Sequence, residues 1–287
     1  MENLKKILSD IIGEVDGNVS VYIKDASSGR ICEVNSERVY HAASIIKISL
    51  MYEALLQIQR GQLSFNDKYT LSGGDIVGGC GVLQLMTPGT VFSVKDLITL
   101  MIAVSDNTAT NILHDILKKD NVNISLRQLG LDNTKFARKL MISDSSGSYS
   151  YTTACDTAKL LSEFLECRYL SREYADIGIE ILYKQQYNDR IPFDLILCSV
   201  CGEIIGQNNI CPSCGAKTWA EDPKEVLFAH KTGEINATRH DAGILNINGK
   251  NVIIVCLTDR LKNNDEASNM QRELGRTVYK YFLKNLN

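Results

Sequence analysis

Proline is scarce in this chain, with four among 287 residues, and there is a single tryptophan. No low-complexity tract or internal repeat is present, which excludes a proline-rich linker and a solenoid architecture. No stretch approaches the ~18 apolar residues that a transmembrane helix requires. Neither sign of charge dominates. The 31 basic and 34 acidic residues leave a net charge of -3, so there is no general attraction to nucleic acid or anionic membrane. Residues 1–15 carry Lys5 and Lys6, but Asp10 and Glu14 interrupt the apolar run, and a signal peptide needs an unbroken one. The chain as it stands therefore reads as cytoplasmic; removal of an export segment would make it extracytoplasmic.

What is present is ordinary for a soluble domain: 44% hydrophobic and 23% charged residues, enough for a sizeable core in one large domain or two small ones. Ile7, Leu8, Ile11 and Ile12 recur at helical spacing and predict an amphipathic first helix. Val19 to Lys24 alternates as a strand. The turn Asp25-Ala26-Ser27-Ser28-Gly29 returns it as a hairpin through Arg30 to Val34. Residues 44–60 read as a helix closed by Gly61, and residues 94–118 and 152–166 also read as mainly helical. Ser93 and Thr152 or Thr153 are candidate N-caps. Strands return at 226–230, 242–247 and 251–258, the last two joined by the hairpin signal Asn248-Gly249. A final helix covers about residues 264–285. Strands at both ends and helices between them predict an α+β fold. Its antiparallel sheet would be built from both termini, flanked by terminal helices, with a mostly helical region inserted.

Three short motifs carry chemistry: Ser44-Ile45-Ile46-Lys47, Ser105-Asp106-Asn107 and Lys231-Thr232-Gly233. A helix opening at Ser44 sets Lys47 one turn later on the same face, beside the hydroxyl. Serine is a weak nucleophile until a base takes its proton. Lys47 serves as that base only with a lowered pKa, through burial or a second cation such as Lys231. Taken alone, Ser44 is an N-cap and Ser-Asp-Asn is turn chemistry. Their joint occurrence with Lys-Thr-Gly selects the catalytic reading.

The segment from Gly81-Val82-Leu83-Gln84 through Ser105-Asp106-Asn107-Thr108-Ala109-Thr110-Asn111, together with His230-Lys231-Thr232-Gly233-Glu234, resembles the class A β-lactamase and penicillin-binding-protein superfamily of serine hydrolases. The likeness covers nearly all of residues 1–287 except about 196–222. It implies that Ser44 is acylated by a β-lactam or acyl-D-Ala-D-Ala-like small molecule, and that Ser105 relays a proton to the leaving nitrogen. It further implies that Asn107 holds the substrate amide, and that Lys231, Thr232 and Gly233 receive its carboxylate on an exposed strand edge, with Arg239 in reserve. The N–H groups of Ser44 and Glu234 would form the oxyanion hole. The Glu234 side chain receives no role. His41 or His240 with Asp241 or Asp259 suggests a Ser-His-Asp triad, but no spacing links them to a nucleophile elbow.

One departure bears on turnover. Class A β-lactamases carry a glutamate between the second and third motifs that activates the deacylating water. Residues 141–150 contain none; Asp144 is their only carboxylate, and Glu163 and Glu166 fall in the following helix. Slow deacylation is the expectation.

Nine cysteines complete the inventory. Cys32, Cys80, Cys155, Cys167 and Cys256 stand singly and read as small buried hydrophobes. Cys198-Ser199-Val200-Cys201-Gly202 and Cys211-Pro212-Ser213-Cys214-Gly215 are two knuckles that converge on a closed four-thiolate site, a structural zinc ribbon inserted at 196–222. Iron fits the same cage. With Lys217 its only basic residue the insert is a poor nucleic-acid binder. It is expected to protrude beside the cleft entrance, open to a protein partner. Two rivals to a β-lactamase remain: a penicillin-binding-type D-Ala-D-Ala peptidase or transpeptidase, and a non-hydrolytic binding or regulatory module.

Overall fold

A computed structural model describes residues 1–142, 147–198, 200–201, 203–206, 210–216, 224–225 and 227–284. Helix α1 (Glu2–Gly13) leads into strands β1 (Asn18–Asp25) and β2 (Ile31–Val34). Near the other end lie β3 (Phe228–Ile235), β4 (Thr238–Ile247), β5 (Lys250–Asp259) and a terminal helix, Asn264–Lys284. The five strands form one antiparallel sheet in the order β2-β1-β5-β4-β3, so the two termini meet where β1 pairs with β5. Asn248 and Gly249 both adopt left-handed backbone between β4 and β5, the conformation a tight type I′ hairpin requires. The predicted α+β architecture is the observed one.

The sheet separates two cores. On one face Leu4, Leu8, Val278 and Phe282 of the terminal helices pack on Val21, Ile254 and Cys256. The helical region covers the other face. At its centre is α2 (Lys47–Gln59), in which every residue through Ile58 is buried. A helix enclosed on all sides forms where neighbours cover its whole circumference. Those neighbours include α3 (Val94–Ala103), α4 (Asn107–Leu117), α5 (Lys119–Gln128) and α7 (Arg172–Leu182); α6 (Ala154–Glu166) packs on the sheet.

Several local expectations are refined. The 94–118 stretch is two helices, because Ser105 and Asp106 break it. Ser93 and Thr153 accept the N–H groups of Asp96 and Asp156 as N-caps. Helices 119–128 and 172–182 lie outside the elements read from the sequence, although the second buries Ala175, Gly178, Ile181 and Leu182 at helical spacing. Of the five single cysteines, Cys32, Cys155 and Cys256 are buried as expected, whereas Cys167 is half-buried and Cys80 is exposed.

Candidate active site

Ser44 sits in a short 3-10 turn, Ala43–Ile46, that runs directly into α2. Side chains three residues apart eclipse in such a turn, which aligns Ser44 with Lys47 more closely than an α-helix would. Ala43 has φ 44°, a left-handed conformation that costs a non-glycine residue roughly 1–2 kcal/mol. Ser105 shares this feature at φ 54°. Strained backbone thus precedes one candidate reacting serine and forms the other.

Lys47 is fully buried and its Nζ donates to Ser105 O (2.7 Å), Ser105 Oγ (3.0 Å) and Asn107 Oδ1 (2.9 Å). Burial pulls its pKa down to about 7, against the opposing fields of Cys80 and Asp106. The condition set for a base is therefore met by burial. Asn107 also donates to Gly78 O at 3.2 Å, so both ends of its amide are engaged. Asp106 caps α4 through Ala109 N–H and accepts the N–H groups of Val82 (2.7 Å) and Leu83 (2.8 Å). It orients the turn, as expected.

The third motif lies on β3, the sheet edge, but it is not exposed: Lys231 and Thr232 are buried. Lys231 Nζ donates to Thr232 O at 2.7 Å. Its pKa falls well below the ordinary lysine value, mainly by burial and further through Lys47 and Arg190. A Cβ on Gly233 would lie 3.2 Å from Ile45 N, so glycine lets this strand close on the nucleophile turn.

Arg190 has no motif around it, and sequence reasoning missed it. Fully buried, it donates through Nη1 to Gly233 O (3.0 Å) and His240 O (2.6 Å), and through Nη2 to Glu234 Oε2 (2.7 Å). Glu234 Oε1 pairs with Arg239. The Glu234 side chain, left without a role above, joins the two arginines, and Arg239 is engaged by it. No triad forms from the histidines considered. The His240 ring accepts Thr258 N–H and donates to His41 O, and burial lowers its pKa to about 4. Asp241 instead bonds His230 at 2.7 Å.

These elements enclose a cleft of about 520 Å³ lined by His41, Ser44, Cys80, Asn107, Leu140 and Glu234 among others. Glu234 is the only carboxylate among its described lining residues. Asp144 lies outside the described residues. Glu163 is buried away from the cleft, accepting Tyr169 N–H at 2.6 Å, and Glu166 pairs with Lys24.

In the insert, the four Sγ atoms of Cys198, Cys201, Cys211 and Cys214 lie within 4.8 Å of one another, with Cys198–Cys214 at 3.6 Å and Cys201–Cys211 at 3.5 Å. A tetrahedral ion with bonds of ~2.3 Å needs sulfur atoms about 3.8 Å apart, so the cage fits a metal. No described residue of the insert is among those lining the cleft. Leu197 and Ile204, both partly buried, pack against the core that the two terminal helices form with the sheet.

The sequence matches the Beta-lactamase2 family, described as a β-lactamase enzyme family, over residues 3–282. A comparison with curated proteins finds no match. Among solved structures, a β-lactamase from Sphaerobacter thermophilus is 23% identical, with 98% of this chain and 97% of that one aligned at a TM-score of 0.81. PBP-A, solved as a leucine-to-glutamate mutant in an acyl-enzyme complex with penicillin G, is 24% identical over 99% and 97% at 0.80. An ancestral class A β-lactamase is 20% identical over 97% and 100% at 0.81. At these identities the structural likeness establishes the fold.

Proposed function

The chain belongs to the β-lactamase enzyme family, and from that premise we propose that it is a serine hydrolase whose Ser44 is acylated by β-lactams. The observation that carries the proposal is Lys47: buried, three residues from Ser44, with its amine on Ser105 and a pKa drawn down to about 7. In its neutral form Lys47 takes the Ser44 proton as the oxygen attacks the lactam carbonyl. The N–H groups of Ser44 and Glu234 receive the oxyanion. Ser105 passes the proton to the leaving nitrogen, and the Lys47–Ser105 contact provides the path. Asn107, Lys231, Thr232, Gly233 and Arg239 form the substrate-binding wall. The opened lactam remains as an ester until water removes it, slowly, because no unpaired carboxylate stands among the described lining residues.

That same lack favours a second reading, a penicillin-binding-type D-Ala-D-Ala peptidase, whose acylation chemistry is identical. Incubation with benzylpenicillin, followed by intact mass over time, separates the readings. A transient adduct with product accumulating marks a β-lactamase, a stable adduct marks the peptidase type, and no adduct removes both in favour of a binding module.

Cys198, Cys201, Cys211 and Cys214 hold a structural zinc ion in this proposal. Four thiolates leave it no open position, so it stabilises the insert and takes no part in the reaction.

A further inference from the structure

His41 lines the cleft beside Ser44, yet the acylation chemistry gives it no part. Its Nδ1 accepts the N–H of Ala43 at 2.9 Å, and Ala43 is the left-handed residue immediately before the nucleophile. Its carbonyl accepts His240 Nε2–H at 2.9 Å. The ring stacks on Tyr149 with centroids 5.0 Å apart and planes 12° from parallel. The short strand Tyr40–His41 pairs with Tyr151–Thr152, and Ala42 N donates to Ser150 O at 2.8 Å. Main chain and ring are thus both fixed, and what they fix is the aim of Nδ1. We infer that His41 is a positioning residue for acylation, its Nδ1 holding the Ala43 turn so that the Ser44 hydroxyl and N–H stand in attacking register. This inference rests on Ser44 being the nucleophile.

The contact requires an acceptor at that nitrogen. A neutral ring that accepts at Nδ1 carries its proton on Nε2. Protonation at Nδ1 would set two donors face to face and release the turn. Burial, and then the charge of Arg138, lower the His41 pKa below its usual 6.5 and keep the acceptor form at neutral pH. Among the described residues, the groups around the ring are Arg138, Tyr149 and His240 of β4, with Lys139 and Glu234 lining the same cleft. His240 titrates near 4, well into acid.

Two substitutions separate the hydrogen bond from the ring. His41→Asn keeps an acceptor, since an asparagine oxygen takes the N–H two residues on in an Asx-turn, and it does not titrate. His41→Phe keeps a stacking ring and leaves the Ala43 N–H without a partner. The readout is the acylation rate with benzylpenicillin and with a fluorophosphonate, which labels an activated serine independently of lactam recognition. Above the Lys47 transition, His41→Phe is expected to be acylated about 10–100-fold more slowly with little change in half-saturating concentration, the scale of a misplaced nucleophile. His41→Asn stays within about threefold of the parent, because its acceptor is retained.

In the parent, the acid limb steepens from first to second order in protons at the pH where the His41 ring titrates by NMR. In His41→Asn it remains first order. Should His41→Phe fold poorly, the pH order of His41→Asn against the parent decides alone. Wild-type acylation rates in His41→Phe, equal slowing in both variants, or a second-order limb persisting in His41→Asn would each overturn the inference. A parent labelled by neither reagent would instead remove the reading of Ser44 itself.

Discussion

Asn111 grips the main chain of Leu140 at both ends of its side-chain amide, donating to the carbonyl at 3.0 Å and accepting the N–H at 2.8 Å. A buried residue of α4 thereby holds the 138–142 segment against the cleft at the point where Leu140 lines it. The residue so held is apolar. Deacylation should accordingly be slow, with the adduct visible for minutes, since a general base contributes on the order of 10²–10⁴-fold. Leu140→Glu places a carboxylate at this fixed point and should speed ester hydrolysis about tenfold or more. Unchanged adduct decay in that variant, or fast turnover by the parent, would show that water is activated elsewhere.

Arg190 should matter for both stability and chemistry. It ties Gly233, His240 and Glu234 together from a buried position. Arg190→Met removes the donor to two buried carbonyls and leaves Glu234 to Arg239 alone, and should cost about 2–4 kcal/mol in denaturant unfolding. It should also slow acylation, because β3 carries Lys231 and Gly233. A variant as stable and as fast as the parent would refute the strut.

Much of this site was legible in the chain, and the division has a physical basis. Ser44 and Lys47 could be placed together because one turn at a helix start sets their spacing, whereas Ser105, 58 residues from Lys47, was joined to them only by the resemblance that the three motifs carry. The sheet could be built because β1 and β5 have strong strand patterns and Asn248-Gly249 fixes a hairpin. Arg190 and Asn111 were invisible as parts of the site, since no motif gives either a role and only folding brings their partners, 43 to 50 and 29 residues away, within reach. The burial of Lys231 was misjudged for the same reason. An edge strand is open in principle, and it is the approach of the Ser44 turn across Gly233 that closes it.

The acylation rate should follow a single ionisation on the acid side near neutrality before any steeper loss. Lys47 acts as a base only when neutral, so the rate rises with pH through its value of about 7 and falls below it. A limb centred near the free-lysine value would contradict burial as the cause of activation. Lys47→Ala should lower the rate by several orders of magnitude at every pH.

Metal analysis should find one zinc per chain, lost together with the thiolates in a quadruple Cys→Ser variant of Cys198, Cys201, Cys211 and Cys214. Chelation should loosen the insert yet spare acylation. The segment leading into it is anchored independently: Asp194 pairs with Arg276 at 2.6 Å, and Gly275 lets the terminal helix touch Ile191. Loss of acylation in step with loss of metal would contradict this independence.

The central claim is the identity of the nucleophile, and peptide mapping after brief exposure to benzylpenicillin tests it most directly. The account predicts one penicilloyl group on the peptide containing Ser44 and none in Ser44→Ala, whose fold should be unchanged. An adduct that persists in Ser44→Ala, or that maps to another residue, would contradict it.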